Sequence, residues 1–429
     1  MTDSEHPDLM DPSVQQCPYE LYKALRASAP LYKMPSTGFR LVTNYALARE
    51  VIRKPDQYLS SVSPMALSDD GIPQEIIDIY EAGGWLPLAS CSTSDPPQHP
   101  RVRGFLEKLF TAERVRAVTP VIDAIAESLL DELPDQSEVE FVQDFAHPLP
   151  MMVIAALLGV PRADIAQFKI WSDAIVEPFS MMASPERRIE CARLVVEMQT
   201  YFADMVADRQ KHPGEDLISE AIAYRDVAGE PFTMQELMTI ITIDLLASGN
   251  ETTTAAIGSG MKLLIENPDV AADITADAEL IPKFAEEVLR LESPAQGMFR
   301  RCAMTSTLAG ETLHKGDLLN IRFGAANRDE AQFSKPDTID LHRAKPGSHL
   351  AFGMGRHVCV GAALARQEII SAFRAICQRY DHFELIAGQP EPRYQPSLFG
   401  RNLLALPLRL SKESQRSSQL LGTRVETER

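Results

Sequence analysis

The chain has 429 residues, of which 45% are hydrophobic and 24% are charged, and this is the composition of an ordinary globular protein. Its 42 basic and 60 acidic residues give a net charge of −18, which excludes general binding to nucleic acid or to an anionic membrane surface. The six cysteines are too sparse for a disulfide framework and lack C-x-x-C metal spacing, so they indicate free thiols in a reducing compartment.

The N-terminus, MTDSEHP, lacks a basic region followed by an apolar run, so no signal peptide is predicted. No stretch of roughly 18 apolar residues predicts a membrane-spanning helix. We therefore expect a soluble, cytoplasmic protein. The expected organisation is an extended segment at residues 1–16, a single domain at 17–411, and a polar, mobile tail at 412–429.

Helical periodicity dominates the chain, because apolar residues recur at three- and four-residue spacing. The predicted helices include residues 115–133, 186–209, 234–265 and 362–380. Short strands are predicted at residues 39–42, 312–313 and 318–323, and a hairpin at 310–316. The predicted fold class is mainly α with small β-sheets.

The helix predicted at residues 234–265 has clear ends, with a capping box at Thr233 and Glu236 and a stop at Asn267-Pro268. About 32 residues at about 1.5 Å each span about 48 Å, enough to cross the molecule. Its centre reads SGNETTT at 248–254, and most of these residues are poor helix formers. Hydroxyl side chains can bond back to carbonyls, so we expect a local break or widening here.

The strongest chemical signal is the segment 352–361, FGMGRHVCVG, which leads directly into the helix predicted at 362–380. Cys359 would lie at the positive end of that helix, where backbone N–H groups favour a thiolate. Nearby glycines let the backbone approach a flat partner. Taken alone, a single cysteine is equally consistent with a small buried hydrophobic residue.

The pattern F-x-x-G-x-x-x-C-x-G resembles the haem-binding loop of the cytochrome P-450 superfamily, with His357 two residues before the cysteine. The resemblance implies that Cys359 binds the iron of haem b, and that Phe352, Gly353 and Gly361 form the cofactor loop. It also implies a fold in which haem lies between the long central helix and the cysteine loop. An axial thiolate favours O–O cleavage and hence oxygen activation.

Other motifs of this family follow in the expected order, so that the resemblance covers roughly residues 18–410. The family's [AG]-G-x-[DE]-T pattern reads SGNET here, ending at Thr252. It implies that Thr252 hydrogen-bonds dioxygen and that Glu251 relays protons to it. Ser248 departs from the usual Ala or Gly, which would narrow the oxygen groove or alter its water. Without the other motifs, this segment would be read as a solvated helix face.

A set of cations matches the family's partners for the two haem propionates. His99 and Arg103 match H-x-x-x-R on one helix face, Arg300 matches an arginine on a later strand, and His357 lies in the cysteine loop. Arg301 is the alternative to Arg300. Each of these residues alone would be an ordinary surface charge, but arginine suits carboxylate binding.

The E-x-x-R motif of the family is present as Glu287 and Arg290, and its second arginine maps to Arg343. An isolated motif of this kind is usually a weak surface ion pair. The resemblance implies a buried, structural role in holding the haem loop, and no catalytic role.

By resemblance, substrate contacts come from four segments, residues 61–88, 241–248, 295–299 and 398–399. The candidate substrate residues are Asp244, Ser248, Phe299 and Leu398. Asp244 lies one turn before Ser248, so its carboxylate could bind a polar group of the substrate. It could equally contact a neighbouring helix and matter only for structure.

The resemblance implies a haem-dependent monooxygenase that inserts one atom of O2 into an apolar organic substrate, by hydroxylation or epoxidation. We find no flavin- or nicotinamide-binding domain, so electrons are expected from NAD(P)H through a ferredoxin reductase and a ferredoxin, which could dock near Arg356. The alternatives are an H2O2-driven peroxygenase on the same fold and a non-catalytic haem-thiolate ligand binder. A cysteine hydrolase is disfavoured because no His–Asn pair is implied near Cys359.

Overall fold

A computed structural model of the protein describes residues 7–62, 72–133 and 138–412, and these residues form mainly α-helices. The α-helices are α1 (Pro12–Gln16), α2 (Tyr19–Ser28), α3 (Tyr45–Ile52), α4 (Gln74–Gly83), α5 (Gln98–Leu109), α6 (Ala112–Glu132), α7 (Pro148–Leu158), α8 (Ile165–Val176), α9 (Pro185–Lys211), α10 (Leu217–Ala223), α11 (Met234–Thr239), α12 (Ser248–Glu266), α13 (Pro268–Ala276), α14 (Ile281–Leu291), α15 (Phe323–Ala326) and α16 (Ala362–Arg379).

The strands are short, and they are β1 (Leu31–Lys33), β2 (Arg40–Val42), β3 (Tyr58–Leu59), β4 (Glu138–Glu140), β5 (Gly297–Cys302), β6 (Ser306–Leu308), β7 (Glu311–Leu313), β8 (Leu318–Arg322), β9 (His382–Leu385) and β10 (Pro407–Ser411). Single turns of 3-10 helix include Cys91–Thr93 and Gly355–His357. Two segments, Val142–Ala146 and Ile240–Ala247, are π-helical. The prediction of a mainly α fold with small sheets is confirmed.

Three small sheets account for the strands. The largest has the order β1-β2-β8-β5-β3, in which β2 and β8 are parallel and the other pairs are antiparallel. Strands β4, β10 and β9 form the second sheet, and β6 pairs with β7 in the third. The largest sheet matters for function because β5 carries Arg300.

Some local expectations need correction. The first 16 residues are not all extended, because Pro12–Gln16 form α1, with Pro12 at its start and the Asp11 side chain accepting from Ser13 N. The hairpin lies earlier than predicted, since its turn at Ala309-Gly310 joins β6 to β7, while β8 pairs in a different sheet. The tail expected to be mobile lies outside the described residues, except for Lys412.

The long central helix runs from Met234 to Glu266 as α11, a π-helical segment and α12. The predicted capping box forms, because Thr233 Oγ1 accepts from Glu236 N at 3.2 Å and Glu236 Oε2 accepts from Thr233 N at 2.7 Å. The helix widens at the π-helical segment Ile240–Ala247, immediately before residues 248–254, from which a break was predicted. At its end, the Ser248 hydroxyl donates to the carbonyl of Ile243, five residues earlier, at 2.8 Å.

The two halves of this helix pack into different hydrophobic clusters. The half before Ser248 lies among residues of α5, α7, α8 and α9. The half after it packs against α6, α14 and α16, so closely that a Cβ atom at Gly260 would lie 2.6 Å from Phe373 Cζ. The junction between the two halves is less buried, and Ser248 is exposed in the middle of the longest run of helix among the described residues. None of the described helices combines the length and apolar character needed to span a membrane.

Candidate active site

The loop before α16 presents Cys359. Its backbone N–H donates to Phe352 O at 2.9 Å, which closes the loop, and Gly353 and Gly355 adopt φ angles of +64° and +67° that other residues rarely adopt. Gly361 caps α16, and its N–H points toward the Cys359 sulfur. Cys359 is accessible at the protein surface, although many protein atoms surround its sulfur.

The sequence suggested that the helix end would favour a thiolate, and the structure limits that inference. Burial raises the pKa of Cys359, and this outweighs the lowering by Gly361 N–H and by the positive charges of Arg103 and Arg366. The protein alone therefore keeps the thiol protonated. A bound metal ion would deprotonate it, since a coordinating thiol loses its proton outright.

His99, Arg300 and His357 form a buried group of nitrogen donors near this loop. The rings of His99 and His357 lie 4.3 Å apart between centroids, and the Arg300 guanidinium donates to Phe299 O at 2.6 Å. Burial lowers the pKa of His357 to about 4 and that of Arg300 to about 10, and it also lowers the pKa of His99. Arg300 is therefore still charged at neutral pH.

These donors lack adequate anionic partners among the described residues. His99 Nε2 and both ring nitrogens of His357 are buried without a hydrogen bond, and Asp95 Oδ1 lies 4.0 Å from His357 Nε2. Buried donors without partners cost free energy, so the group fits an additional anion. The two propionates of a haem would satisfy it, and the thiol of Cys359 could hold the iron. The residues present therefore fit this cofactor.

Arg103 and Arg301 differ from Arg300 in their surroundings. Arg103, on α5, binds Glu107 Oε1 at 2.7 Å and the carbonyl of Val358, so it links α5 to the cysteine loop. Arg301 is exposed on β5, whereas Arg300 points inward. Of the two neighbours on β5, Arg300 is thus the one placed beside His357.

The acid–alcohol pair occupies the start of α12. Thr252 Oγ1 donates to Ser248 O at 3.3 Å, a long bond of the back-bonding type that hydroxyl residues make in helices. Glu251 points to another side of the helix. Its Oε1 accepts from Asn250 Nδ2 and its Oε2 from Asn402 Nδ2, both at 3.3 Å. The carboxylate of Glu251 is therefore held by two weak, neutral donors.

Three further side chains lie near this carboxylate. One ligand atom each of His147, Asp173 and Glu251 lie within 4.8 Å of one another, and Lys169 pairs with Asp173 at 3.0 Å. Burial raises the pKa of Glu251 to about 7, Asp173 adds to the rise, and Lys169 opposes it. Burial also lowers the pKa of His147 to about 3, so its ring is neutral. Near neutral pH, Glu251 can thus both hold and release a proton.

Comparison with known proteins identifies the family. The family model described as Cytochrome P450 matches residues 89–409, which include His99, Thr252 and Cys359. This chain is a cytochrome P450. As a member of this family it is a haem-dependent oxidoreductase that incorporates oxygen from O2, and its cofactor is haem b bound through a cysteine thiolate.

Similar cytochromes P450 cover nearly the whole chain. Cytochrome P450 107B1 of Saccharopolyspora erythraea is 34% identical, over 95% of this chain and 99% of the relative. The 6-deoxyerythronolide B hydroxylase of the same organism is 32% identical, over 94% and 98%. Among solved structures, cytochrome P450 CYP109Q5 from Chondromyces apiculatus has a TM-score of 0.82 and 33% identity, and covers 95% of this chain and 99% of that one.

The E-x-x-R motif of this P450 forms a closed network. The carboxylate of Glu287 accepts two hydrogen bonds of 2.8 Å from Arg290. It also accepts hydrogen bonds of 2.8 and 3.1 Å from Arg343 and one of 2.9 Å from Asp340 N. Burial raises the pKa of Glu287, but the bonds from Arg290 and Arg343 outweigh it and lower the pKa overall. The network ties α14 to the segment around Asp340, ahead of the cysteine loop.

Asp244 contacts the single turn of 3-10 helix that precedes α5. Its Oδ1 accepts from Cys91 N at 2.9 Å, while its Oδ2 is buried without a partner among the described residues. Gln235 and Thr239 lie further back along the same helix and bind Leu86 O at 2.8 Å and Leu88 N at 3.1 Å. Asp244 is thus the last of three side chains that hold this segment against the central helix. Burial raises its pKa to about 7.

A small apolar cavity of about 30 Å³ lies between α4, α8, α9 and the π-helical segment. Its lining includes Ile76, Tyr80, Ile175, Ala192, Val195 and Ile243. Two of the segments expected to contact substrate contribute to it, although residues 63–71 of the first are not described. The residues from α8 and α9 were missed, because in sequence they resemble the apolar faces of ordinary core helices.

Phe299 and Leu398 do not line that cavity. Phe299 packs edge-on against Phe39, with 5.3 Å between ring centroids, and Leu398 belongs to the same hydrophobic cluster. The carbonyl of Leu398 also accepts from Arg322 at 2.6 Å. The structure brings these two residues together beside the largest sheet.

Proposed function

We propose that this cytochrome P450 hydroxylates or epoxidises an apolar organic substrate, with Cys359 as iron ligand and with Glu251 and Thr252 delivering protons. The observation that carries the proposal is the carboxyl of Glu251, adjacent to Thr252 at the centre of the long helix, with a pKa raised to about 7. An acid of this pKa transfers protons efficiently near neutral pH. Haem, when bound, supplies the site at which O2 is bound and reduced.

The weak bonds around the acid–alcohol pair support the same roles. Asn250 and Asn402 each donate at 3.3 Å, so they orient the Glu251 carboxylate without fixing its charge. The Thr252 hydroxyl donates only a long bond to Ser248 O, and it can turn to another acceptor at small cost. Ser248 differs, because its own hydroxyl is committed to Ile243 O at 2.8 Å. We infer that Ser248 supports the widened helix more than it contacts substrate.

The role proposed for each histidine and arginine of the site follows from its burial and its hydrogen bonds. Arg300, His99 and His357 would bind the haem propionates, because they are buried and three of their ring nitrogens have no hydrogen bond among the described residues, with only a distant contact to Asp95. Arg103 also donates to Glu107 and to the Val358 carbonyl, so it would share its guanidinium between these partners and a propionate. Glu287, Arg290 and Arg343 hold the polypeptide ahead of the cysteine loop and take no part in the reaction.

The substrate and the electron donor are proposed from weaker support. The cavity beside Ile243 has a largely apolar lining, as small-molecule sites usually do. One relative is named as a hydroxylase of 6-deoxyerythronolide B, and a similar solved structure of CYP109E1 holds testosterone. We propose an apolar ring compound as substrate. Electrons would come from NAD(P)H through a ferredoxin that docks near Arg356, whose ion-pair partner within the described part of the chain is the exposed Asp56.

The proposal is tested on the haem-loaded protein in two steps. First, the reduced protein with CO should give the absorption band that names the family, and Cys359→Ser should lose it. Second, NADPH with ferredoxin and reductase should drive product formation from a panel of apolar ring compounds. Faster turnover with H2O2 alone would indicate a peroxygenase. If the protein shows the CO band but consumes no O2 with any compound of the panel, it would be a non-catalytic ligand binder.

A further inference from the structure

Arg366, on the first turns of α16, lies over the aromatic ring of Phe352. Its guanidinium carbon is 4.4 Å from the ring centroid. Phe352 is also the residue whose carbonyl accepts from Cys359 N at 2.9 Å. Arg366 therefore contacts the side chain of the residue that closes the Cys359 loop, and its positive charge acts on the Cys359 sulfur.

A partly buried network holds Arg366 in this place. Both carboxylate oxygens of Glu286 accept from the Arg366 guanidinium, Oε2 at 3.1 Å. Glu286 Oε2 also lies 3.0 Å from His349 Nε2, and His349 Nδ1 accepts from Ala351 N at 3.2 Å. Because Nδ1 is an acceptor, Nε2 carries the hydrogen and donates it to Glu286. The network therefore links Arg366, through Glu286 and His349, to the backbone of Ala351, which precedes Phe352 in the chain.

Arg366 is positively charged and Glu286 is negatively charged, and the two side chains occupy different positions. Burial raises the pKa of Glu286, but the bonds from His349 and Arg366 outweigh it and lower the pKa to about 2, so the group is an anion at any neutral pH. A cation near a ligating thiolate withdraws electron density from it, and an anion does the reverse. The reduction potential of a haem responds to such neighbouring charges and hydrogen bonds.

We propose that Arg366 and Glu286 are positioning residues that set how strongly the Cys359 thiolate donates to iron, and so set the ferric–ferrous reduction potential in opposite directions. The inference rests on the proposed role of Cys359 as the iron ligand. Arg366 favours the ferrous state, because its positive charge stabilises the electron that reduction adds. Glu286 restrains that effect by partly neutralising Arg366.

The test is a mediated redox titration of the haem-loaded protein. Arg366→Gln should lower the midpoint potential and Glu286→Gln should raise it, each changing the ferrous-to-ferric ratio at a fixed potential on the order of tenfold. Arg366→Lys keeps the charge but loses the planar stacking and bidentate pairing, so its potential should lie between those of wild type and Arg366→Gln. The CO band should persist in each variant.

Arg379→Gln is the matched control, because it removes an arginine and its pair with Asp131 from the far end of the same helix. Its potential should equal that of wild type. The same direction of shift in Arg366→Gln and Glu286→Gln, or no shift beyond the control, would overturn the inference. If Arg366→Gln fails to bind haem, Arg366→Lys and Glu286→Gln still decide it. A wild-type protein without the CO band would instead overturn the proposed role of Cys359.

Discussion

Glu287 on α14 and Glu251 on α12 are both removed from bulk water, but their surroundings differ. Glu287 accepts four bonds from two arginines and one from a backbone N–H, and its pKa is lowered. Glu251 accepts two long bonds from neutral amides and lies near the carboxylate of Asp173, and its pKa is raised to about 7. One residue type therefore serves as a permanent anion in one place and as a titrating acid in the other.

The difference shows what decides the role of a buried carboxyl. Cations that bind both oxygens hold the negative charge and leave no proton to transfer. Neutral donors and a nearby anion leave the protonated and ionised forms close in free energy, as proton transfer requires. We therefore expect substitutions at Glu287 to act on stability and substitutions at Glu251 to act on turnover.

The largest effect is expected for Glu287→Gln, which leaves the charge of Arg290 buried with an incomplete partner. The free energy of unfolding should fall by about 3–5 kcal/mol. Denaturant unfolding followed by circular dichroism measures this loss. Glu138→Gln is the control, because it breaks an exposed pair with Arg409 and should cost less than about 1 kcal/mol. Equal losses in the two variants would contradict the assignment of Glu287 to a buried structural network.

Glu251→Gln should reduce product formation about 10²-fold, because it removes a proton donor from the site. In the wild type, the neutral form of Glu251 predominates below pH 7, so turnover limited by proton delivery should fall as the pH rises through about 7. The variant should lose this pH dependence and keep its CO band. Steady-state turnover between pH 6 and 8 is the measurement, and an unchanged pH profile in the variant would exclude Glu251 as the donor.

Glu368 on α16 is another buried glutamate, and its Oε2 has no partner among the described residues. Burial raises its pKa well above the usual value, so the folded state keeps a proton that the unfolded state releases. Its contribution to stability should therefore fall by about 1.4 kcal/mol per pH unit above the unfolded pKa. Glu368→Gln should remove that slope, so its stability relative to wild type should rise from pH 5 to pH 7 in paired unfolding curves. A constant difference would show that Glu368 is ionised in the folded protein.

The smallest effect is expected for Asp173→Asn. The Asp173 carboxylate helps to raise the pKa of Glu251, and its removal also frees Lys169 to approach Glu251. Both changes lower the pKa of Glu251, so the fall in turnover should begin at lower pH, with a loss of roughly twofold at pH 7. Glu190→Gln, which breaks an exposed pair with Arg187, is the control. A shift toward higher pH would contradict the proposed repulsion.

The sequence by itself predicted the features that depend on local spacing. Helix geometry places residues three or four apart on one face, so Glu287 with Arg290 and the capping box of Thr233 with Glu236 could be expected in contact. The cysteine loop is also local, since ten consecutive residues place Cys359 at the head of α16. The central helix was predicted to within one residue of its end for the same reason.

The packing of the helices determines which distant residues contact these local features. Asn402 and Asp173 reach Glu251 from 151 and 78 positions away, and no periodicity relates such positions. The partner of Asp244 and the lining of the cavity by α8 and α9 likewise depend on how helices pack. The pKa of Glu251 depends on its neighbours and on its burial, which are properties of the packed molecule. The motif therefore identifies the acid, and the packing around it determines whether that acid can transfer a proton.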